Sequence, residues 1–352
     1  LLPFCGIWSS ALQLDIILEP DSPARFTELG LLAERFGFGA VWTANHVGAR
    51  DPFMSFMPLA HASKTIRMGP VAVSPFELHP VKMANQLLTL NEAAAGRANI
   101  IVGGGGGSLI AMGLKSGRRA MHPQMLRGVG ECIDMLRAAS SGDVVNYQGE
   151  VFEVGGYLPR WAIEPEPQIY LGASKPKMLA LAATKADGVM LSDVTLPRMP
   201  ETMEVLRATL AAEGRDASTF KVSNLYSWHV KATRAEAMDE ARRKLWVRGM
   251  LERWYISTFL SEAECDLVEQ QFGVFANAYM TNTSAFPGVP DSLAEKLVDE
   301  LTFTGTHADV ERFIDQLQMF KAAGLTEFGI RLYDNPEESI RLLGERVLPA
   351  LR

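Results

Sequence analysis

The chain has 352 residues, 47% of them hydrophobic and 21% charged, the balance of an ordinary globular protein and long enough for two domains or one large α/β barrel. A net charge of −7 and a pI near 5.5 argue against nucleic acid or an anionic membrane as partner. Cys5, Cys132 and Cys265 are odd in number and far apart, which fits neither a disulfide framework nor a metal site and points to a reducing cytoplasm.

The first 17 residues, LLPFCGIWSSALQLDII, are apolar but lack a basic flank and are broken by Pro3, Gly6 and Gln13, so neither a signal peptide nor a membrane span is expected. Residues 12–18 read as a first strand. From Pro23 to Phe36, the side chains Phe26, Leu29, Leu32, Ala33 and Phe36 share one helical face, and Gly37 and Gly39 stop the helix. Residues 40–44 (AVWTA) form a second strand ending at Asn45 and His46, followed by a short helix over 52–62. Residues 66–73 form a third strand, and Pro80 opens a helix closed by Gly96. The fourth strand lies within 97–107, RANIIVGGGGG, where Ile100, Ile101 and Val102 run into five glycines.

A long helix is expected over 123–139, then a hairpin over 144–154 centred on Gln-Gly. A fifth strand (168–173) precedes a helix over 176–184, and a sixth (188–192) precedes one over 200–213. A seventh strand (220–230) leads to a helix over 234–248 with Thr233 as N-cap. Residues 249–305 break the rhythm and are rich in aromatic residues and Met. A helix over 306–323, an eighth strand (325–332) and a terminal helix (336–348) complete the chain. Eight strands alternating with helices predict a single (β/α)8 TIM barrel with a helical insertion, 249–305, after strand seven; an open doubly wound sheet is the alternative.

In such a barrel the chemistry sits where strands end at the C-terminal face. His46 is the leading catalytic candidate, since imidazole can exchange a proton near neutral pH; the competing reading is a histidine satisfied by loop carbonyls. Gly172, Ala173, Ser174 and Lys175, before Pro176, would offer backbone N–H groups, a hydroxyl and an ammonium to a phosphate, or else form an ordinary N-cap with a solvent lysine. Val71 and Ala72 are small enough to leave room for a ring system, although periodicity alone places them in the core. Asp193 and Arg331 either orient a substrate or pair on the surface. No HExxH motif, Cys–His pair or carboxylate cluster suggests a metal, and neither a Walker loop nor a GxGxxG dinucleotide setting is present.

Three segments, GFGAVWTANH (37–46), IRMGPVAVSPFELHPVKMANQLLTLNEAAAGRANIIVGGG (66–105) and PQIYLGASKPKMLALAATKADGVMLSD (167–193), together resemble the bacterial luciferase-like superfamily of flavin monooxygenases and F420-dependent oxidoreductases. The third is most similar to the methylenetetrahydromethanopterin reductase branch. The resemblance implies a (β/α)8 barrel, an active-site role for His46, and cofactor contacts from Asn45, from Gly103, Gly104 and Gly105, and from Gly172 to Lys175. It also implies a cis peptide at Val71–Ala72 behind the cofactor ring. Two residues depart from the family pattern: Asn45 replaces a common aspartate, and Gly106 replaces the glutamate acid of sugar-phosphate dehydrogenases.

The reading that follows is F420-dependent hydride transfer to or from a small organic substrate, in a cytoplasmic homodimer. The alternative is an FMN-dependent two-component monooxygenase fed by a separate reductase, and a third class is a non-catalytic ligand-binding barrel. The 249–305 segment is expected to be a lid or substrate wall, or equally a dimer interface or satellite core.

Overall fold

The protein is described from a computed structural model covering residues 11–19, 21–105, 109, 112 and 117–352, the side chains of 117–123 excepted. The N-terminal run through Ser10 with Cys5, and the glycines 106 and 107, lie outside the described residues.

Eight parallel strands close into a barrel. They are β1 (Gln13–Leu18), β2 (Ala40–Ala44), β3 (Arg67–Val73), β4 (Asn99–Val102), β7 (Gln168–Gly172), β8 (Gly188–Ser192), β9 (Lys221–Lys231) and β11 (Glu327–Arg331). The β8–β9 pairing shuts the ring. Between β4 and β7, β5 (Val145–Gln148) and β6 (Glu153–Tyr157) form the antiparallel hairpin expected there, its tip fixed by the Glu131 carboxylate, which accepts from the N–H groups of residues 150, 151 and 152. Proline starts the helices Pro23–Phe36, Pro52–Ala62, Pro80–Ala93 and Pro176–Lys185, where its missing N–H has no helical partner to lose.

Two apolar shells hold the barrel. Outside, Phe26, Leu59, Leu87, Ile133 and their neighbours join strands to helices. Inside, Ile17, Trp42, Ile101, Tyr170, Met190 and Leu225 fill the lumen, with the Trp42 and Tyr170 rings edge-on at 5.5 Å. Toward the strands' N-terminal ends the lumen is polar. There Arg67 pairs with Glu327 at 2.9 Å, Tyr170 donates to Glu327 at 3.0 Å, and Trp42 donates to Asp15 at 2.9 Å. Burial, with Glu327 nearby, pushes the Asp15 carboxyl up to about 7.

The chain departs from the expected pattern after β9. The helix of residues 234–244 stops at Lys244, and two single 3₁₀ turns follow. Residues 302–306 are a strand, β10 (Thr302–Thr306), and the next α-helix begins only at Val310. The cause lies in β9: its 11 residues outrun its barrel neighbours, and its last five, Ser227 to Lys231, would be an open edge if β10 did not pair with them. Between β9 and β10 lie the helices Arg253–Ile256, Glu262–Gln270, Phe272–Thr281 and Asp291–Leu301. Among the described residues no helix is long and apolar enough to cross a membrane, and no group of three or more His, Cys, Asp or Glu could hold a metal ion.

Candidate active site

β3 organises the barrel mouth. The Val71–Ala72 peptide is cis, and the register between β3 and β4 slips between Val71 and Val73. The residues around this bulge are nearly bare of side chain. A Cβ added to Gly103 would lie 3.0 Å from Cβ of Ala72, and one on Gly172 would lie 3.9 Å from it. The ends of β3, β4 and β7 thus lie close together, with least room at Gly103 against Ala72 and at Gly172 against Ile101, where a Cβ would come within 3.3 Å. They open onto a hollow of about 420 Å³ lined by Val71, Ala72, Gly104, Ala173, Ser174 and Lys175, among others. That volume lies within the range of small-ligand pockets, roughly 300–1,000 Å³.

Asn45 joins the bulge to a second group of residues. Its backbone N–H donates to the Val71 carbonyl at 3.1 Å and its Nδ2 to the Ala72 carbonyl at 3.4 Å. Nδ2 also donates to Glu77, which accepts the Ser74 N–H at 2.9 Å. Burial raises the Glu77 carboxyl above the usual range, against the pull of those two hydrogen bonds. Next along the chain, His46 is half-exposed. Its Nε2 lies 3.5 Å from Glu19 and 3.4 Å from the Arg331 guanidinium, and Arg331 pairs with Glu19. The hydrogen bond from His46 and the charge of Arg331 hold Glu19 down to about 2, so this carboxylate stays ionised. Asn45, His46, Glu77, Val73 and Phe53 line a smaller hollow of about 300 Å³.

The structure therefore brings Asn45, His46, Val71, Ala72, Gly103, Gly104, Gly172 to Lys175 and Arg331 to one end of the barrel. Gly105 turns the chain away at a φ of +90°. Ser174 is not an N-cap: Lys175 holds that position, without a side-chain cap bond, and Ser174 Oγ accepts the Ser192 N–H. Lys175 is not a free solvent lysine either, since it pairs with Glu252. Asp193 does not face the hollow. It is fully buried, 2.8 Å from Arg248, and accepts the Gly249 N–H at 2.9 Å. His229, at the far end of β9, is buried against Glu240 at 2.6 Å and stacked on Tyr333.

Glu19, Glu77, Glu252 and Tyr255 were not among the sequence candidates. Glu19 follows the last residue of β1, a strand end as eligible as those that carry Asn45 and Asp193. Glu77 sits in the loop after β3, where a carboxylate three residues beyond Ser74 closes back on the turn. Glu252 and Tyr255 carry no sequence signal of position, since they reach the mouth through the irregular segment after β9. That segment splits in two. Phe275 and Phe286 pack together, 4.9 Å between rings, as part of the outer core and not as a satellite to it. Tyr279 instead shares the Lys244 ammonium with Tyr333, whose ring lies 5.2 Å under Arg331.

A closed βα barrel with a small-residue hollow and a His–Glu–Arg cluster at its C-terminal mouth is a barrel of the TIM class. The chain belongs to the luciferase-like monooxygenase family, whose model matches residues 5–327. Among its relatives, 5,10-methylenetetrahydromethanopterin reductase of Archaeoglobus fulgidus is 28% identical over 325 residues, covering 91% of this chain and 94% of that one. Two solved structures share the fold over 97% of this chain and 100% of their own, each at 20% identity. They are the coenzyme F420-dependent tetrahydromethanopterin reductase of Methanopyrus kandleri (TM-score 0.75) and an F420-dependent secondary alcohol dehydrogenase in complex with an F420-acetone adduct (TM-score 0.76).

Proposed function

We propose that this chain is an F420-dependent oxidoreductase acting on a small organic substrate. The observation that carries the reading is the hollow lined on one side by Ala72, Gly104, Gly172 and Ala173, small residues that leave room for one face of a planar ring. Its chemistry supports the fit. Val71, Ala72 and Gly104 would flank the ring, while Gly172, Ala173, Ser174 and Lys175 would hold the phosphate against the N-terminus of the helix from Pro176. When bound, the deazaflavin supplies two-electron hydride chemistry.

The chain's own residues handle the proton. His46 lies between an ionised carboxylate and a guanidinium, its Nε2 3.5 Å from Glu19 and 3.4 Å from Arg331. Asn45 cannot transfer a proton as a carboxylic acid would. It holds the bulge by its two bonds to the Val71 and Ala72 carbonyls, and Glu77 fixes its amide. Arg331, nearly buried, helps His46 keep Glu19 ionised and lies over the Tyr333 ring. Tyr279, Lys244 and Tyr333 extend that rim as a substrate wall supplied in part by the 249–305 insertion.

The reading extends to a cytoplasmic location, which the free, buried Cys132 and Cys265 suit, and to a homodimer of single barrel domains, which sedimentation tests. The test of function is titration of the purified protein with F420 and with reduced FMN, followed by absorbance and fluorescence. Tight F420 binding with hydride exchange is expected. Tight reduced-FMN binding with oxygen-dependent turnover, and none with F420, would replace this reading with a monooxygenase fed by a separate reductase.

A further inference from the structure

The turn assigned to the phosphate carries its own counter-charge. Among the described residues that line the 420 Å³ hollow, Lys175 and Glu252 alone are charged, and they pair with each other. Both are half-exposed, at 55% and 46% of the side chain, so the pair is weak and Lys175 remains free to move. Glu252 is nevertheless fixed near the turn by its backbone. Arg248 and the Gly249 N–H are bound to the buried Asp193 at 2.8 and 2.9 Å. Gly249, Met250 and Leu251 then take φ of +53°, +45° and +52°, a left-handed run that leads directly into Glu252. The Tyr255 ring packs where a Cβ on Gly249 would meet it at 2.7 Å, and the Tyr255 hydroxyl is a hydrogen-bond partner of Ser174. The segment thus delivers a carboxylate and a phenol to one turn from a buried anchor.

We infer that Glu252 is a specificity-determining residue that selects a phosphodiester over a phosphomonoester at this turn, an inference that rests on the cofactor reading above. The formal charge of the lining is zero. The helix N-terminus and Lys175 suffice for a single negative charge. A monoester at neutral pH carries nearly two, with its second ionisation at about pH 6, and its extra charge faces the Glu252 carboxylate. F420 joins its side chain through a phosphodiester, whereas FMN ends in a phosphomonoester. The residue therefore favours the deazaflavin cofactor by charge, without touching the ring.

The probes are matched in ring: the 5′-phosphate of the deazaflavin core of F420, and the methyl ester of that phosphate, with F420 as reference. Dissociation constants are read by fluorescence for the wild type, Glu252→Gln and Glu252→Lys. At pH 8 the wild type should prefer the methyl ester by about three- to fivefold, the effect of one unit charge a few ångströms away near solvent. Glu252→Gln should abolish the preference and Glu252→Lys reverse it, and at pH 5.5 the wild type should lose it as the monoester takes up a proton. An equal ratio in all three proteins overturns the inference and leaves the cofactor reading standing. So does F420 binding with neither truncated ligand bound, since phosphate recognition would then lie elsewhere. Failure of F420 itself to bind the wild type overturns both.

Discussion

Replacing Asp193 with Ala should be among the most damaging single changes near the mouth, and the damage should be rescued by a second change. Asp193 and Arg248 are 0% and 3% exposed, 2.8 Å apart, and the same carboxylate accepts the Gly249 N–H. Burial pulls the Asp193 carboxyl upward and Arg248 pulls it down, the mark of a charge that is tolerated only because its partner is present. Removing one member of such a pair leaves a guanidinium buried without its counter-ion, which costs about 3–5 kcal/mol. With an unfolding entropy of roughly 2.1 cal/mol/K per residue, a chain of 352 residues should lose about 4–7 °C in Tm. The double variant Asp193→Ala/Arg248→Met removes both charges and should recover most of that loss. The assay is a double-mutant cycle by urea unfolding with thermal melts alongside, because each ΔΔG is then a difference between like measurements. A coupling energy below about 1 kcal/mol would refute the reasoning, for the pair would then be no tighter than an exposed ion pair. Both variants should also weaken cofactor binding, since the left-handed turn carrying Glu252 starts from this anchor.

His46→Ala should bind F420 within about twofold of the wild type and lose turnover by roughly 10²–10⁴, the range for removing a proton-transfer group. Equal loss of binding would make His46 structural, unchanged turnover would exclude it as the proton-transfer group, and a wild type that turns over no substrate would leave the non-catalytic barrel standing. Gly172→Val should weaken F420 binding about tenfold or more with a small change in Tm, because its branch enters the space between Ile101 and Ala72; binding at wild-type strength would exclude the hollow as the cofactor site. Asp15 predicts a pH dependence whose sign follows from its raised carboxyl. Between about pH 4 and 7 the folded chain holds a proton that the unfolded chain has released, so this group's contribution to stability falls as pH rises through that window. The stability difference between wild type and Asp15→Asn, measured by urea unfolding at pH 5 and pH 8, should therefore shift toward the variant at pH 8. A pH-independent difference would show that Asp15 titrates normally.

Strand number and order were legible because a buried parallel strand writes itself as a short apolar run punctuated by a proline-started helix, as at Ala40–Ala44 and Gly188–Ser192. β10 was not. Its sequence, TFTGT, has one large apolar residue, and it is a strand because the overlong β9 leaves five residues to pair. A pairing need created 75 residues upstream leaves no local trace. The same limit governs the site. Asn45, His46, Val71, Ala72 and the glycines could be found because their positions at strand ends are fixed by the fold. Asp193 passed the same test and yet points away from the hollow, since its φ of +55° turns it into the packing under Arg248.

The charges decide what the mouth can hold, and they come from the part of the chain that is least regular. A strand-end survey finds Lys175 and reads the turn as cationic. The residue that neutralises it lies 77 positions later, beyond a left-handed turn that no periodicity announces. The same holds at the other side of the bulge, where the cationic Arg331 is offset by Glu19, 312 positions away. In both places a cation on the barrel is matched by a carboxylate from a connecting segment. The barrel supplies the shape of the hollow, and the segments between its elements set its charge. Substitutions in those segments should accordingly change which anionic ligand is preferred while leaving the fold of the barrel as it is.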